Sequence, residues 1–143
     1  MSIKVYTDGA CKGNPGPGGW GVYIMFNNEE KDLYGGNPET TNNQMEMQAA
    51  LEALKYLKDR DEVIKLYTDS NYLRQGITDW IHKWKLNNWR TAAKKPVANR
   101  DLWIEISDLN EHMNVEWNWV KGHAGDPGNE RADQLANMGA ENV

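Results

Sequence analysis

Two segments of this chain close on the same three residues. Tyr6-Thr7-Asp8 and Tyr67-Thr68-Asp69 each end a short β-branched and aromatic run, and each is followed by a small turn-forming residue, Gly9 or Ser70. That pattern predicts a strand with its aspartate at the tip. If the two strands are parallel neighbours, both carboxylates project from one edge of the sheet, where α/β proteins place their sites. Carboxylates held that close repel, and are tolerated when one keeps a proton or a cation lies between them. Two further acids extend the pattern. Glu46 shares a helix side with Ala50, Ala53 and Leu57, and Asp133 shares one with Ala136 and Ala140. A charge on or beside an apolar stripe costs free energy unless it is paired or binds a metal. The positive end of a helix also attracts acids to its first turns, and that suffices for Glu130. The core-facing side of Glu46 and Asp133 favours a site instead. An all-oxygen set without Cys or His suits Mg2+ or Mn2+ rather than zinc. Four acids carry enough charge for two ions about 3.5–4 Å apart, the arrangement that clamps a scissile phosphate.

A second constellation has the opposite sign. Residues 80–100 hold Lys83, Lys85, Arg90, Lys94, Lys95 and Arg100 and no acid, so the segment is +6 in a chain whose net charge is −5. Trp80, Trp84 and Trp89 lie in the same stretch. A basic stripe interleaved with aromatics is the footprint of nucleic-acid contact. Trp80 and Trp84 are also four apart, as a packed helical face requires. The absence of acid favours polyanion binding.

The elements that must position these groups follow from periodicity and punctuation. Strands are expected over 3–8, 20–26, near 31–36, over 63–68 and over 115–119. Gly13 to Gly19 reads as a loop and Asn27-Asn28 as a hairpin turn. Thr41 with Gln44, or Asn43 with Glu46, reads as a capping box opening a helix whose apolar face is Met47, Ala50, Leu51, Leu54 and Leu57. Helices are further expected from about 71 through the Trp80–Lys85 stretch, over about 100–111, and after Asp126-Pro127. Trp20, Trp103, Trp117 and Trp119 are expected in the core, and His82 and His112 at the surface or in helix packing. At 143 residues the chain is expected to form one domain, residues 1–143. A single cysteine excludes an internal disulfide framework. The N-terminal residues run directly into the first strand, and no apolar run approaches the roughly 20 residues of a membrane span. The expectation is a cytoplasmic protein away from membranes.

With these residues in view, the chain resembles the bacterial type 1 ribonucleases H over almost its whole length. The resemblance is carried by Tyr6-Thr7-Asp8-Gly9 with Gly13–Gly19, Thr41-Asn42-Asn43 with Met45-Glu46, Thr68-Asp69-Ser70, Gln75-Gly76-Ile77, Lys94-Lys95-Pro96, and Trp119 to Gly125 with Asn129-Glu130-Arg131 and Asp133. It implies an α/β ribonuclease H-like fold, a five-stranded mixed sheet in the order 3-2-1-4-5 with helices on both faces. It implies a monomeric endonuclease that hydrolyses the RNA strand of RNA–DNA hybrids with two Mg2+ ions, Mn2+ being a possible substitute, and leaves 5′-phosphate and 3′-hydroxyl ends. Asp8, Glu46, Asp69 and Asp133 would be the catalytic metal ligands, and His123 would aid proton movement or product release. Cys11, Asn14, Asn42, Asn43, Gln44 and Asn71 would contact the RNA, and Thr41 a DNA phosphate. Trp80, Lys83, Trp84, Lys85, Trp89, Lys94 and Lys95 would line the DNA-side channel. Many bacterial relatives have glutamine where this chain has Asn71, and many are basic overall. Two other classes compete. An actin-like phosphotransferase closes two domains over ATP and needs a longer chain. A non-catalytic hybrid-binding module gains nothing from an acidic cluster facing phosphate.

Overall fold

The computed structural model describes residues 2–121 and 126–143. The chain runs β1 (Ser2–Cys11), β2 (Gly16–Phe26), β3 (Glu29–Thr40), α1 (Asn42–Leu57), β4 (Val63–Thr68), α2 (Asn71–Gln75), a π-helical turn (Gly76–Trp80), α3 (Ile81–Leu86), α4 (Arg100–His112), β5 (Val115–Trp119) and α5 (Pro127–Glu141). The five strands form one sheet in the order β3-β2-β1-β4-β5. β1 to β3 make an antiparallel meander, whose β2–β3 hairpin turn places Asn27 and Asn28 at positive φ, as a two-residue turn of this hand requires. β4 lies parallel to β1 and β5 parallel to β4.

The main core lies between one face of the sheet and α1 and α4. Ile3, Val5, Val22, Ile24, Ile64 and Leu66 meet Ala50, Leu51 and Leu54 of α1 and Trp103 and Ile106 of α4 there. Burying a leucine such as Leu54 contributes about 1.5–3 kcal/mol. The entry to α1 is fixed by the Thr41–Gln44 capping box, in which the Thr41 hydroxyl accepts from the Gln44 amide at 3.2 Å and the Gln44 side chain accepts from the Thr41 amide at 3.2 Å. Helix α5 covers the other face of the sheet.

Both helices that carry acids of interest approach the sheet over glycine. A Cβ at Gly9 would stand 2.5 Å from the backbone nitrogen of Glu46 in α1, and a Cβ at Gly21 would meet the backbone of Ala132 and Ala136 in α5. Contact is backbone against strand in both places.

Several expectations are corrected. The expected Gly13–Gly19 loop is shorter, because β2 begins at Gly16, and Gly18 and Gly19 pair with Cys11 and Ala10 of β1. Side chains at Gly19 would collide with α5, so packing rather than turn chemistry explains the glycine there. β3 extends to Thr40 past Pro38, which an edge strand tolerates. The helix after Asn71 is interrupted by the π turn, where Gly76 lies against the ring of Trp103. Trp103 is fully buried, and Trp20 and Trp117 are partly buried against the core, but Trp119 is 47% exposed. Trp119 shares the face of Trp117, yet it sits at the end of an edge strand, beyond the helices that cover that face.

Candidate active site

The register of the parallel pair explains how two aspartates meet. Tyr6 of β1 pairs with Tyr67 of β4, and their rings stack at 4.8 Å. Continuing that register by two residues sets Asp8 beside Asp69. Asp8 is not at a strand tip as expected, because β1 runs on to Cys11 in its pairing with β2. It lies where β4 ends at Thr68 and the two strands part. Ser70 then caps α2, its hydroxyl accepting from the Leu73 amide at 3.1 Å, and holds Asp69 at the bend.

Glu46 arrives from the second turn of α1. Carboxylate oxygens of Asp8, Glu46 and Asp69 lie within 4.8 Å of one another. Asp8 is 5% and Glu46 6% exposed. The electrostatic consequence is direct. Burial, then the Asp69 charge, then a hydrogen bond that protonated Asp8 donates to Asp133 push the Asp8 carboxyl up to about 8, against which Glu46 and, more weakly, the Gly9 amide, donating at 2.9 Å, act. Burial, followed by the charges of Asp8 and Asp69, holds the Glu46 carboxyl well above the ordinary carboxylate range. Asp133, on α5, is outside the tight trio but reaches Asp8 through that hydrogen bond. All four carboxylates therefore converge on one edge.

The donor set fits a hard divalent cation. Glu46 Oε1 is buried with no hydrogen-bond partner. An orphaned carboxylate oxygen beside two more carboxylates gains a ligand, and sheds its excess proton affinity, when a cation enters. His123 lies outside the described residues.

Some of the expected RNA-side residues are joined to one another. Asn14 Oδ1 accepts from the Asn42 amide at 3.1 Å, tying the β1–β2 connection to the first turn of α1. Asn42 and Asn43 are exposed there, and Asn71 is exposed at the start of α2. The half-buried thiol of Cys11 faces the carbonyls of Thr40 at 3.4 Å and Gly13 at 2.6 Å. Gln44 is the most constrained of the set. Its carbonyl accepts from Thr40 and Thr41, and its amide donates to Asn99 at 3.1 Å.

The basic segment is built differently. Trp80, Trp84 and Trp89 are half-buried and pack in sequence, with centroids at 5.8 and 6.4 Å, and Trp84 lies 5.7 Å from Trp103. Lys83, Lys85, Lys94 and Lys95 are exposed. Lys83 faces Asp79 at 3.6 Å and Lys85 pairs with Glu111 of α4, whereas Lys94 and Lys95 have no ion-pair partner among the described residues.

Sequence reasoning missed Asn99. It caps α4 at φ 58, its side chain makes no cap, and its amide donates instead to the Tyr72 hydroxyl at 3.2 Å. The Trp103 indole donates to the same hydroxyl at 3.3 Å. Asn99 thus ties the base of the basic segment to α1 and α2. An asparagine opening a helix after Pro96-Val97-Ala98 was the available signal.

Comparison with known proteins places this geometry in context. A family model described as RNase H matches residues 1–141. The chain is 57% identical over 142 residues to a protein named Ribonuclease H from Pseudomonas entomophila, covering 99% of this chain and 95% of that one. It is 60% identical over 141 residues to a Ribonuclease H from a Polaromonas species, covering 97% and 88%. Among solved structures it is similar to LC9-RNase H1, described as a type 1 RNase H with the type 2 active-site motif, with a TM-score of 0.89, 32% identity, and coverage of 99% of this chain and 72% of that one.

Proposed function

This chain belongs to the ribonuclease H family, and we propose that Asp8, Glu46, Asp69 and Asp133 are the ligands of two Mg2+ ions at its active site. The protein is a metal-dependent endonuclease that hydrolyses the RNA strand of RNA–DNA hybrids. The observation that carries the site assignment is the meeting of three carboxylates within 4.8 Å, one oxygen of which is buried without a partner. When bound, Mg2+ or Mn2+ supplies Lewis acidity at the scissile phosphate and a lowered pKa for the attacking water.

The chain's own residues do the rest. Asp8 and Asp69, fixed by strand register, hold the centre of the site. Glu46 and Asp133, delivered by α1 and α5, close it from two sides. Without cations this edge repels a phosphodiester, so substrate and metal enter as one electrostatic unit. Asn14, Asn42, Asn43 and Asn71 offer amides to the sugar edge and backbone of the RNA, where the 2′-hydroxyl distinguishes it from DNA. Cys11 and Gln44 complete that wall, and Thr41 faces a DNA phosphate. Trp80, Lys83, Trp84, Lys85, Trp89, Lys94 and Lys95 form the DNA-side channel. His123 assists proton movement or release of the product, whose ends are a 5′-phosphate and a 3′-hydroxyl. The 143 residues act as one monomeric catalytic domain in the cytoplasm. No helix among the described residues is long and apolar enough to cross a membrane.

The test is cleavage of one labelled hybrid beside matched double-stranded RNA and double-stranded DNA, with and without Mg2+. Hybrid RNA should be cut only with the ion, double-stranded RNA weakly and DNA not at all. Equal cutting of all three would refute the assignment.

A further inference from the structure

The cleft at the end of β5 is built from groups that the proposed reaction does not use. About 380 Å3 of space is bounded by Arg74, Ile77, Thr78, Trp117, Asn118 and Trp119, with Thr68 at its margin. That volume falls in the range of small-molecule sites, roughly 300–1,000 Å3. The wall is apolar where Ile77 and the half-buried Trp117 form it, and the Trp117 indole N–H is already satisfied by Asn110 at 2.8 Å. Trp119, by contrast, leaves about half its surface open at a concave place, where an indole can stack on a planar ring.

A cation is held at the same place. The Arg74 guanidinium carbon lies 5.1 Å from the centre of the Trp119 ring. Arg60, Arg100 and Arg131 each face an acid, but Arg74 has no carboxylate partner among the described residues, in a chain with 21 acidic and 16 basic side chains. An arginine without an acid, steadied over an aromatic ring, is free to bind an external anion, and its planar fork matches phosphate. Stacking surface, cation and polar rim together fit a planar heterocycle that carries a phosphate.

We propose that this cleft binds a nucleoside monophosphate unit, its base against the part of the Trp119 indole that Arg74 leaves open and its phosphate paired with Arg74. The same chemistry is offered by a free nucleotide and by an unpaired, 5′-phosphorylated nucleotide at the end of an RNA strand. The cleft adjoins the cleavage edge, since the Val120 amide donates to the Thr68 carbonyl at 2.9 Å one residue before Asp69, but it contains none of the four carboxylates.

The experiment titrates AMP into the full chain in EDTA, so that no metal at the carboxylates can recruit phosphate, and follows the seven indole N–H resonances. A Trp119→Phe variant assigns its signal. The Trp119 and Trp117 signals should shift saturably while the other five stay in place. Adenosine and inorganic phosphate should each bind at least about tenfold more weakly than AMP, and Arg74→Met, which keeps the stem and removes the charge, should weaken AMP by at least about tenfold. A hybrid whose RNA carries one unpaired 5′-phosphorylated adenosine, compared with a blunt one, separates the sources. A lower KM for the overhang in the wild type, lost in Arg74→Met, assigns the site to strand ends. Equal KM values with the AMP shifts intact assign it to free nucleotides. No localised shift up to about 10 mM AMP, or equal affinity in Arg74→Met, overturns the proposal and leaves Arg74 and Trp119 as an internal link between α2 and β5. If Arg74→Met fails to fold, the wild-type titration decides alone.

Discussion

The carboxylate edge and the basic segment are opposites in construction as well as in charge. Asp8 and Glu46 are buried, and with Asp69 their oxygens meet within 4.8 Å on elements locked by sheet register and by backbone contact. The lysines of residues 80–100 are exposed and dispersed, while the tryptophans between them, with Ile81 and Val97, are anchored. Chemistry needs a fixed geometry and tolerates the electrostatic strain of achieving it. Holding a polymer needs charge at roughly the right place, and long flexible side chains supply it. The first region should fail abruptly when altered, and the second by degrees.

The largest effect tests the abrupt side. Asp8→Asn or Asp69→Asn keeps shape and removes a ligand charge, and should lower hybrid cleavage by about 10³-fold or more, the equivalent of at least about 4 kcal/mol of lost transition-state stabilisation. The metal-free variant should melt at a higher temperature than the metal-free wild type, because like-charge repulsion is relieved. Near-normal cleavage by either variant in Mg2+ would remove the contrast between the two regions.

His123→Ala comes next. If the residue aids proton movement or release, turnover should fall by roughly 10²-fold, at the lower end of what general acid–base groups contribute, with hybrid affinity unchanged. Steady-state kinetics beside a binding isotherm separate the two quantities.

A thermal-melting series in EDTA probes the strain itself. The Asp8 carboxyl is raised from 3.8 to about 8, so between those values the folded chain keeps a proton that the unfolded chain has lost. Stability from this group is complete below about pH 4 and declines as pH rises towards 8, by at most about 1.4 kcal/mol per pH unit for one proton. Tm should therefore fall from pH 5 to pH 8 in the metal-free protein. Mg2+ should restore more at pH 8 than at pH 5, and Asp8→Asn should flatten the slope.

The smallest effects belong to the basic segment, and the structure divides them. Lys83 and Lys85 already face Asp79 and Glu111, while Lys94 and Lys95 face no acid among the described residues. Lys94→Ala with Lys95→Ala should raise KM several-fold and flatten the slope of log affinity against log salt by up to about 1.8, two phosphates' worth. Lys83→Ala with Lys85→Ala should change both less. A salt series on the two double variants reads the difference directly, and equal slopes would deny any role to the intramolecular pairs.

What the sequence disclosed and what it concealed follow the range of the forces involved. Local signals were legible. The Thr41–Gln44 capping box, the alternation of Val115, Trp117 and Trp119, and the proline at the start of the last helix all stand as read. Glu46 and Asp133 stood out because a charge on an apolar stripe is anomalous within one helix turn, and Asp8 and Asp69 because each ends an apolar strand pattern. Long-range packing was not. Gly16 to Gly19 reads as loop in isolation and becomes strand only because β1 and α5 lie against it. Trp119 reads as core by alternation, and is exposed because no element covers the end of β5. Asn99 gives no local sign that its amide will reach Gln44 and Tyr72, whose partners come from α1 and α2.

The glycine contacts beneath α1 and α5 have a consequence for how such an enzyme can change over generations. Glu46 and Asp133, two of the four acids proposed as ligands, are carried by helices set against glycine, so the spacing of the site is written partly in absences. Gly21→Ala would press against the backbone of α5 and displace Asp133 without altering any charged side chain. A survey of reactive or charged positions would overlook such a site entirely. A substitution at Gly9 or Gly21 would detune the reaction through a helix that stands a fraction of an ångström too high.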